Sequence, residues 1–350
     1  MTAPLPSTRC RTRSTMNSKG FAHWPVFDGP LTAEMTDRQL MGLAEHFQPG
    51  IELSLPLAVW RQLSDKSAEQ LALGVENPDA PLSWRLASAR LLAQTMDPRL
   101  DVLNPPMITI EGGQVEIGLE ESAIDQVLQR MQGLGLDRSW IEKEAPRHRV
   151  ELKPYAIGKY PVTNLEYRAF LEDSQYPAIP GNWLFGQFPS ERANHPVYGL
   201  SAGDADVYCQ WLAARTGRSF RLPSEAEWEF AAAGHENLEY PWGDQFLPLH
   251  ANTAEMGLFA TTPVGALPEG ASPFGCMDMA GNVEEYVADD YAPYPGGNAV
   301  IDDLVTVVGT HRIARGGSFT RFRDLTRNCR RHGKYPREIY VMGFRLAESL

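Results

Sequence analysis

Apolar positions recur at helical spacing through the first third of the chain. "TAEMTDRQLMGLAEHF" sets Met35, Leu40, Leu43, Ala44 and Phe47 near one face. "PLAVWRQLSDKSAEQLALGV" repeats the pattern at Val59, Leu63, Leu71 and Val75, with a break expected around Ser64-Asp65. "APLSWRLASARLLAQTMD" adds Leu82, Leu86, Ala89, Leu92 and Ala93, and Pro81 suits a helix start. These segments predict a small unit of about three helices over residues 26–104, suited to packing or to docking a partner protein.

Pro105-Pro106 then punctuates the chain, and the period changes from helical to alternating. "MITIEGGQVEIG" alternates around Gly112-Gly113 and predicts a β-hairpin. "SAIDQVLQRMQGLGLDRSWIEKE" reads as a helical insertion, and "HRVELKPYAIGKYPVT" as a second strand pair. Three capped helices follow. Thr163 or Asn164 caps "TNLEYRAFLED", and Ser201 opens a helix that stops at Gly217. Ser224 with Glu227 forms a capping box closed by Gly234. Between 235 and 311 Gly, Pro, Asn and aromatic residues dominate, which predicts long ordered coil of functional use or pinned by ions. The expected class is α+β, with a disordered tail (1–25), the helical unit (26–104) and the main domain (105–350).

Charge narrows the function. The chain carries a net -12, against the broad basic face that nucleic acid needs. No apolar run reaches the roughly 20 residues of a membrane span. Cys10, Cys209, Cys276 and Cys329 form no CxxC pair, so a disulfide scaffold or structural zinc is not expected and a reducing cytoplasm is the default. The first residues are basic, but they lack an apolar face, and Met16 is an alternative start. Against this acidic background, positive charge gathers near the C-terminus at Arg312, Arg315, Arg321, Arg323, Arg327, Arg330, Arg331, Lys334 and Arg337.

Five motifs carry a resemblance: "KYPVTNLEYRAFL", "RLPSEAEWEFAAAG", "YPWGD", "FGCMDMAGNVEEYV" and "RGGSF…GFRLA". In this order the chain resembles the formylglycine-generating enzyme and sulfatase-modifying-factor family over about residues 105–348. The resemblance implies an elaborated C-type-lectin-like fold. Family members include copper-dependent oxidases, iron-dependent sulfoxide synthases, enzymes of siderophore maturation and ligand-binding variable proteins. It also implies calcium at Asn282, Val283 and Glu285, where oxygen donors cluster, and a second site at Asn252 with Thr253. The acid expected near that second site is not evident, Met256-Gly257-Leu258 standing there.

The chain departs from the family at the copper site. The paired cysteines expected after "RGGS" fall on Arg321 and Thr326, and Cys329 stands alone, so two thiolates for Cu(I) are lacking. The iron branch's HxxxHxE pattern is also missing from the N-terminal unit, so an iron triad would have to be assembled differently, for example from His332, His311, His250 or His195 with a carboxylate. What remains is an arginine-rich pocket segment. Guanidinium forks at Arg321, Arg323, Arg327, Arg330 and Arg331 suit the carboxylate of an anionic small molecule or peptide. Ser318 would line the pocket, and His332 would be its acid/base or ligand residue. Arg315 and Arg345 are expected inside the fold. The expectation is a divergent oxidoreductase of this family that is not a copper-dependent formylglycine generator; the alternative is a non-catalytic ligand- or peptide-binding module.

Overall fold

The computed structural model describes residues 34–43 and 53–350. The expected tail, with the Ala44 and Phe47 end of the first helix, lies outside these residues. A short helix α1 (Asp37–Leu40) is followed by α2 (Leu57–Ser64), α3 (Ala68–Val75) and α4 (Leu82–Gln94). The chain breaks at Asp65, as the pattern indicates, and Ser67 with Gln70 re-caps it into α3. These helices share a core of Leu63, Leu71, Val75, Ala89 and Leu92 with Ala266 of the later coil. Arg85 pairs with Glu269 at 2.8 Å, and Asn194 bonds to Ala89 and Asp97. The helical unit is therefore built into the main domain through buried polar contacts.

The strands are arranged differently from the two expected hairpins. β1 (Met107–Ile110) pairs with β4 (Tyr155–Gly158), and β2 (Gly113–Ile117) pairs with β3 (His148–Leu152). One antiparallel register runs through both ladders, so 107–117 and 148–158 form a single interrupted ribbon. The partner comes from across the helical insertion, α5 (Ile124–Arg130) and α6 (Arg138–Glu142). Gly112 marks the interruption: at φ +72°, a Cβ there would lie 2.4 Å from the Leu152 carbonyl. Local alternation with a Gly-Gly step fits a turn and a bend equally well, and here the close crossing makes it a bend.

The capped helices fall where their signals lie: α7 (Asn164–Ser174), α8 (Ala202–Thr216) and α9 (Glu225–Ala233), each opened by a Ser or Thr capping box. β5 (Phe220–Arg221) and the C-terminal β9 (Ala347–Ser349) complete a sheet in the order β1-β4-β9-β5. A second sheet is β7-β6-β8, from β6 (Glu284–Asp290), β7 (Arg312–Arg315) and β8 (Met342–Phe344), with α10 (Asp303–Val308) between β6 and β7. α7 and α8 pack Tyr167, Phe170, Tyr208 and Leu212 against Tyr286 and Phe344 of this second sheet, and α9 packs Trp228 and Phe230 on the first ribbon. Central β6 is thus buried over Glu284–Val287.

Candidate functional site

Two adjacent acids in a buried strand need partners, and alternation along β6 sends them to opposite faces. Glu285 is clamped by Arg345 at 2.6 and 2.7 Å and accepts from the Trp228 indole at 2.7 Å. Glu284 turns the other way. Its Oε1 accepts from Ser318 at 3.2 Å, and its Oε2 lies 3.7 Å from His332 Nδ1 and has no hydrogen-bond partner.

The motif "RGGS" makes this possible. Gly316 and Gly317 hold φ of +89° and +65°, and a Cβ at Gly316 would lie 2.9 Å from the Met279 carbonyl. Only glycine lets β7 turn this closely, which sets Ser318 beneath Glu284. His332 is fixed by its backbone: it exchanges both hydrogen bonds with Ala314 of β7, the strand beside Glu284.

His332 opens onto a cavity of about 100 Å³, and Glu284 lies behind it, outside the lining. The cavity wall carries the cations Lys143, Arg321, Arg330, Arg331 and Arg337 beside the acids Asp302, Asp303 and Asp324, with Lys143 paired to Asp302 at 2.7 Å; His332 lines it, and Trp140, Phe322, Tyr335 and Tyr340 supply aromatic surface. Arg321 lies over the Tyr340 ring at 4.7 Å, and its carboxylate partner Glu284 is 3.9 Å away, beyond hydrogen-bond reach. Burial pushes the Glu284 carboxyl up to about 7, against the opposing pull of Arg321. Burial, reinforced by the charges of Arg330, Arg321 and Lys143, holds His332 well below the usual histidine range, so its ring is neutral at pH 7. Neither ring nitrogen has a hydrogen-bond partner of ordinary length. A carboxyl that titrates near neutrality can take up or release a proton, and the neutral imidazole beside it offers an acceptor nitrogen.

The five arginines of the pocket segment divide. Arg321, Arg330 and Arg331 line the cavity, but Arg323 and Arg327 do not. Arg327 is fully buried between Glu144 at 2.8 Å and Glu239 at 2.7 Å. Arg323 pairs with Glu255 at 3.3 Å. Arg331 forks onto Glu225 at 2.8 and 2.9 Å and also donates to the Lys143 and Ala292 carbonyls. Arg330 donates to the Trp140 and Arg331 carbonyls, and its Nε lies 3.7 Å from Glu144 without a hydrogen bond. Much of the C-terminal charge therefore answers buried carboxylates of distant segments, and Arg321 is the guanidinium least committed to a carboxylate. Arg315, paired with Glu225 and Glu229, and Arg345 lie inside the fold as expected. Ser318 sits behind Glu284 and does not line the cavity.

Glu284 itself escaped the sequence reading, which took its neighbour. Two consecutive acids in an otherwise apolar strand were the available signal.

The residues after "RGGS" do not fit copper. No cysteine lines the cavity among the described residues. Cys329 lies against Glu144 at 3.3 Å, and burial raises its thiol well above its ordinary value. Iron finds no ready triad either: among the described residues no three His, Cys, Asp or Glu side chains converge.

For calcium the two regions differ. Asn282 is engaged by Thr262, Asn252 and Asp278, and Arg345 already neutralises Glu285. Around Asn252, by contrast, the buried Asn252 Oδ1, Thr253 Oγ1 and Glu255 Oε2 have no hydrogen-bond partner. Unpaired buried oxygens of this kind fit a hard cation. Glu255 is also the acid that the sequence did not show there.

Small sheets joined by ordered coil, two long helices on one flank and a pocket walled by the C-terminal segment define an α+β scaffold protein of the lectin-like kind. The chain belongs to the family of the sulfatase-modifying factor enzyme 1-like domain, whose model matches residues 93–350. A hercynine oxygenase from Mycolicibacterium thermoresistibile is 31% identical over 247 residues, 59% of this chain and 53% of that protein. The chain thus spans about half the length of that relative. The inactive C-alpha-formylglycine-generating enzyme 2 of Mus musculus is 29% identical over 335 residues, 79% of this chain and 95% of that protein. Among solved structures, PvdO from Pseudomonas aeruginosa superposes with a TM-score of 0.54 at 26% identity, over 71% of this chain and 95% of its own.

Proposed function

We propose that the protein is a divergent oxidoreductase of this family that acts on an anionic amino-acid-like or peptide substrate without copper thiolates. The observation that carries the reading is His332, which lines the cavity, backed by the buried Glu284 3.7 Å behind it. A buried carboxyl near its titration point and a buried, unpartnered imidazole are both costly to stability, and such groups mark sites of chemistry. In this reading Arg321 receives a substrate carboxylate, and Tyr340 holds the guanidinium plane from behind. His332 and Glu284 move the proton, and Ser318 orients Glu284. Relatives named hercynine oxygenase and formylglycine-generating enzyme support the oxidoreductase class. We further assign calcium, bound at Asn252, Thr253 and Glu255, a structural role; bound there, the ion would meet the Glu255 Oε2 left free while Arg323 holds Oε1.

The second reading is a non-catalytic binding module, favoured by the absence of cavity thiols among the described residues and by a relative named inactive. Aerobic incubation with a panel of amino acids and short peptides, with and without added Fe(II), separates the two. Oxygen uptake and a mass-identified product, both lost in Arg321→Ala and His332→Ala, support the enzyme. Saturable binding that needs Arg321, with no product under any condition, supports the module.

A further inference from the structure

α1 is held together by its own cap. The Thr36 hydroxyl accepts from the Gln39 backbone, and the Gln39 side chain accepts from Thr36. None of its residues is buried, so no hydrophobic core anchors it. It nevertheless meets the cavity at two points. Leu40 lines the cavity alongside Arg321 and Tyr340. Arg337, also a lining residue, reaches Asp37 at 3.0 Å and donates a second bond to the Met35 carbonyl. These partners lie about 300 residues apart in sequence, so the contact belongs to the tertiary fold.

The geometry points to α1 as a lid on the cavity, latched by the Asp37–Arg337 ion pair. The Asp37 and Arg337 side chains are 37% and 21% exposed, while the Asp37 Oδ1 facing Arg337 is shielded and makes no hydrogen bond, so the latch is a single ion pair of modest strength. An element with no buried side chain can lift without unfolding its neighbours. Lifting it removes Leu40 from the cavity wall and frees a guanidinium at the rim. The catalytic groups below, His332 and Glu284, stay in place because β6 and β7 hold them. A substrate carboxylate that reaches Arg337 competes with Asp37, so entry of an anion and opening of the lid are one event. This last step rests on the cavity being the ligand site; the latch does not.

The test reads the latch without any ligand. Leu40→Cys is introduced into the full chain, and its alkylation by iodoacetamide is followed peptide by peptide with mass spectrometry. The expected rate is well below that of the denatured chain. Adding Asp37→Asn, or separately Arg337→Gln, should raise it roughly two- to fivefold, the range of an ion pair of modest strength. The exchanged pair Asp37→Arg with Arg337→Asp should restore the slow rate. Asp65→Asn, a surface acid elsewhere, should leave it unchanged. An introduced thiol that reacts at the denatured rate, or one that ignores both latch variants, overturns the lid. Loss of anion binding in Arg321→Ala with the latch intact would count for the pocket, and its absence against the pocket alone.

Discussion

Glu284→Gln is the substitution that most exposes the physics of the site. The wild-type carboxyl is raised by burial from an ordinary 4.5 to about 7. Between those values the native state keeps a proton that the unfolded chain has lost. Native stability from this group is therefore fully present below pH 4.5 and drains away as pH rises through 7. Moving the carboxyl that far is worth about 3 kcal/mol at 1.36 kcal/mol per tenfold change in its proton equilibrium. Glutamine has no proton to lose, so the variant escapes the loss. The stability of Glu284→Gln minus that of wild type should grow with pH, by about 1 kcal/mol per pH unit between 5 and 6.5. Its absolute level at a single pH also contains the weakened contacts to Arg321 and Ser318, so the slope is the observable. Glu166, raised to about 7, and Asp278, raised to about 6, occur in both proteins and cancel. Urea unfolding at pH 5, 6, 7 and 8 supplies the difference. A difference that stays flat across this range would refute the assignment of a neutral-range carboxyl to Glu284.

Four further outcomes follow from the same geometry. Arg327→Ala leaves Glu144 and Glu239 without their shared cation and should cost about 3–5 kcal/mol, seen in urea unfolding or as loss of soluble protein. Arg321→Ala should abolish anion binding by calorimetry and, because it removes the nearest cation from the fully buried Glu284, push that carboxyl further up. Calcium should raise the melting temperature of wild type and leave Asn252→Ala unmoved, as read by differential scanning fluorimetry after chelator treatment. Cu(I) titration in competition with a chelator should give the same affinity for wild type and Cys329→Ser, because a lone, half-buried thiol cannot form a two-sulfur site.

Local signals were the legible ones. The Ser224–Glu227, Ser201–Asp204 and Thr163–Glu166 caps each mark the start of a helix because cap and partner lie three residues apart. The strand ribbon was not legible, because Ile110 and Tyr155 meet only across an insertion that the alternation of either strand does not encode. The arginine-rich segment was visible as charge, and the inside placement of Arg315 and Arg345 followed from their motifs. The partners of Arg327 and Arg331 were hidden, since Glu144, Glu239 and Glu225 come from three separate elements. His332 was picked out by chemistry alone. Its placement beside Glu284 depends on a two-bond bridge to Ala314, which sequence spacing does not announce.

The central claim is that an anionic ligand sits in the cavity against Arg321 and His332. The most direct measurement is a nitrogen-15 NMR titration of ring-labelled histidines, with amino acids and short peptides as probes. The account predicts that a carboxylate-bearing probe moves the His332 ring signals, that the corresponding amide does not, and that Arg321→Ala removes the response. Probes that never move His332, or a response that survives Arg321→Ala unchanged, would contradict it.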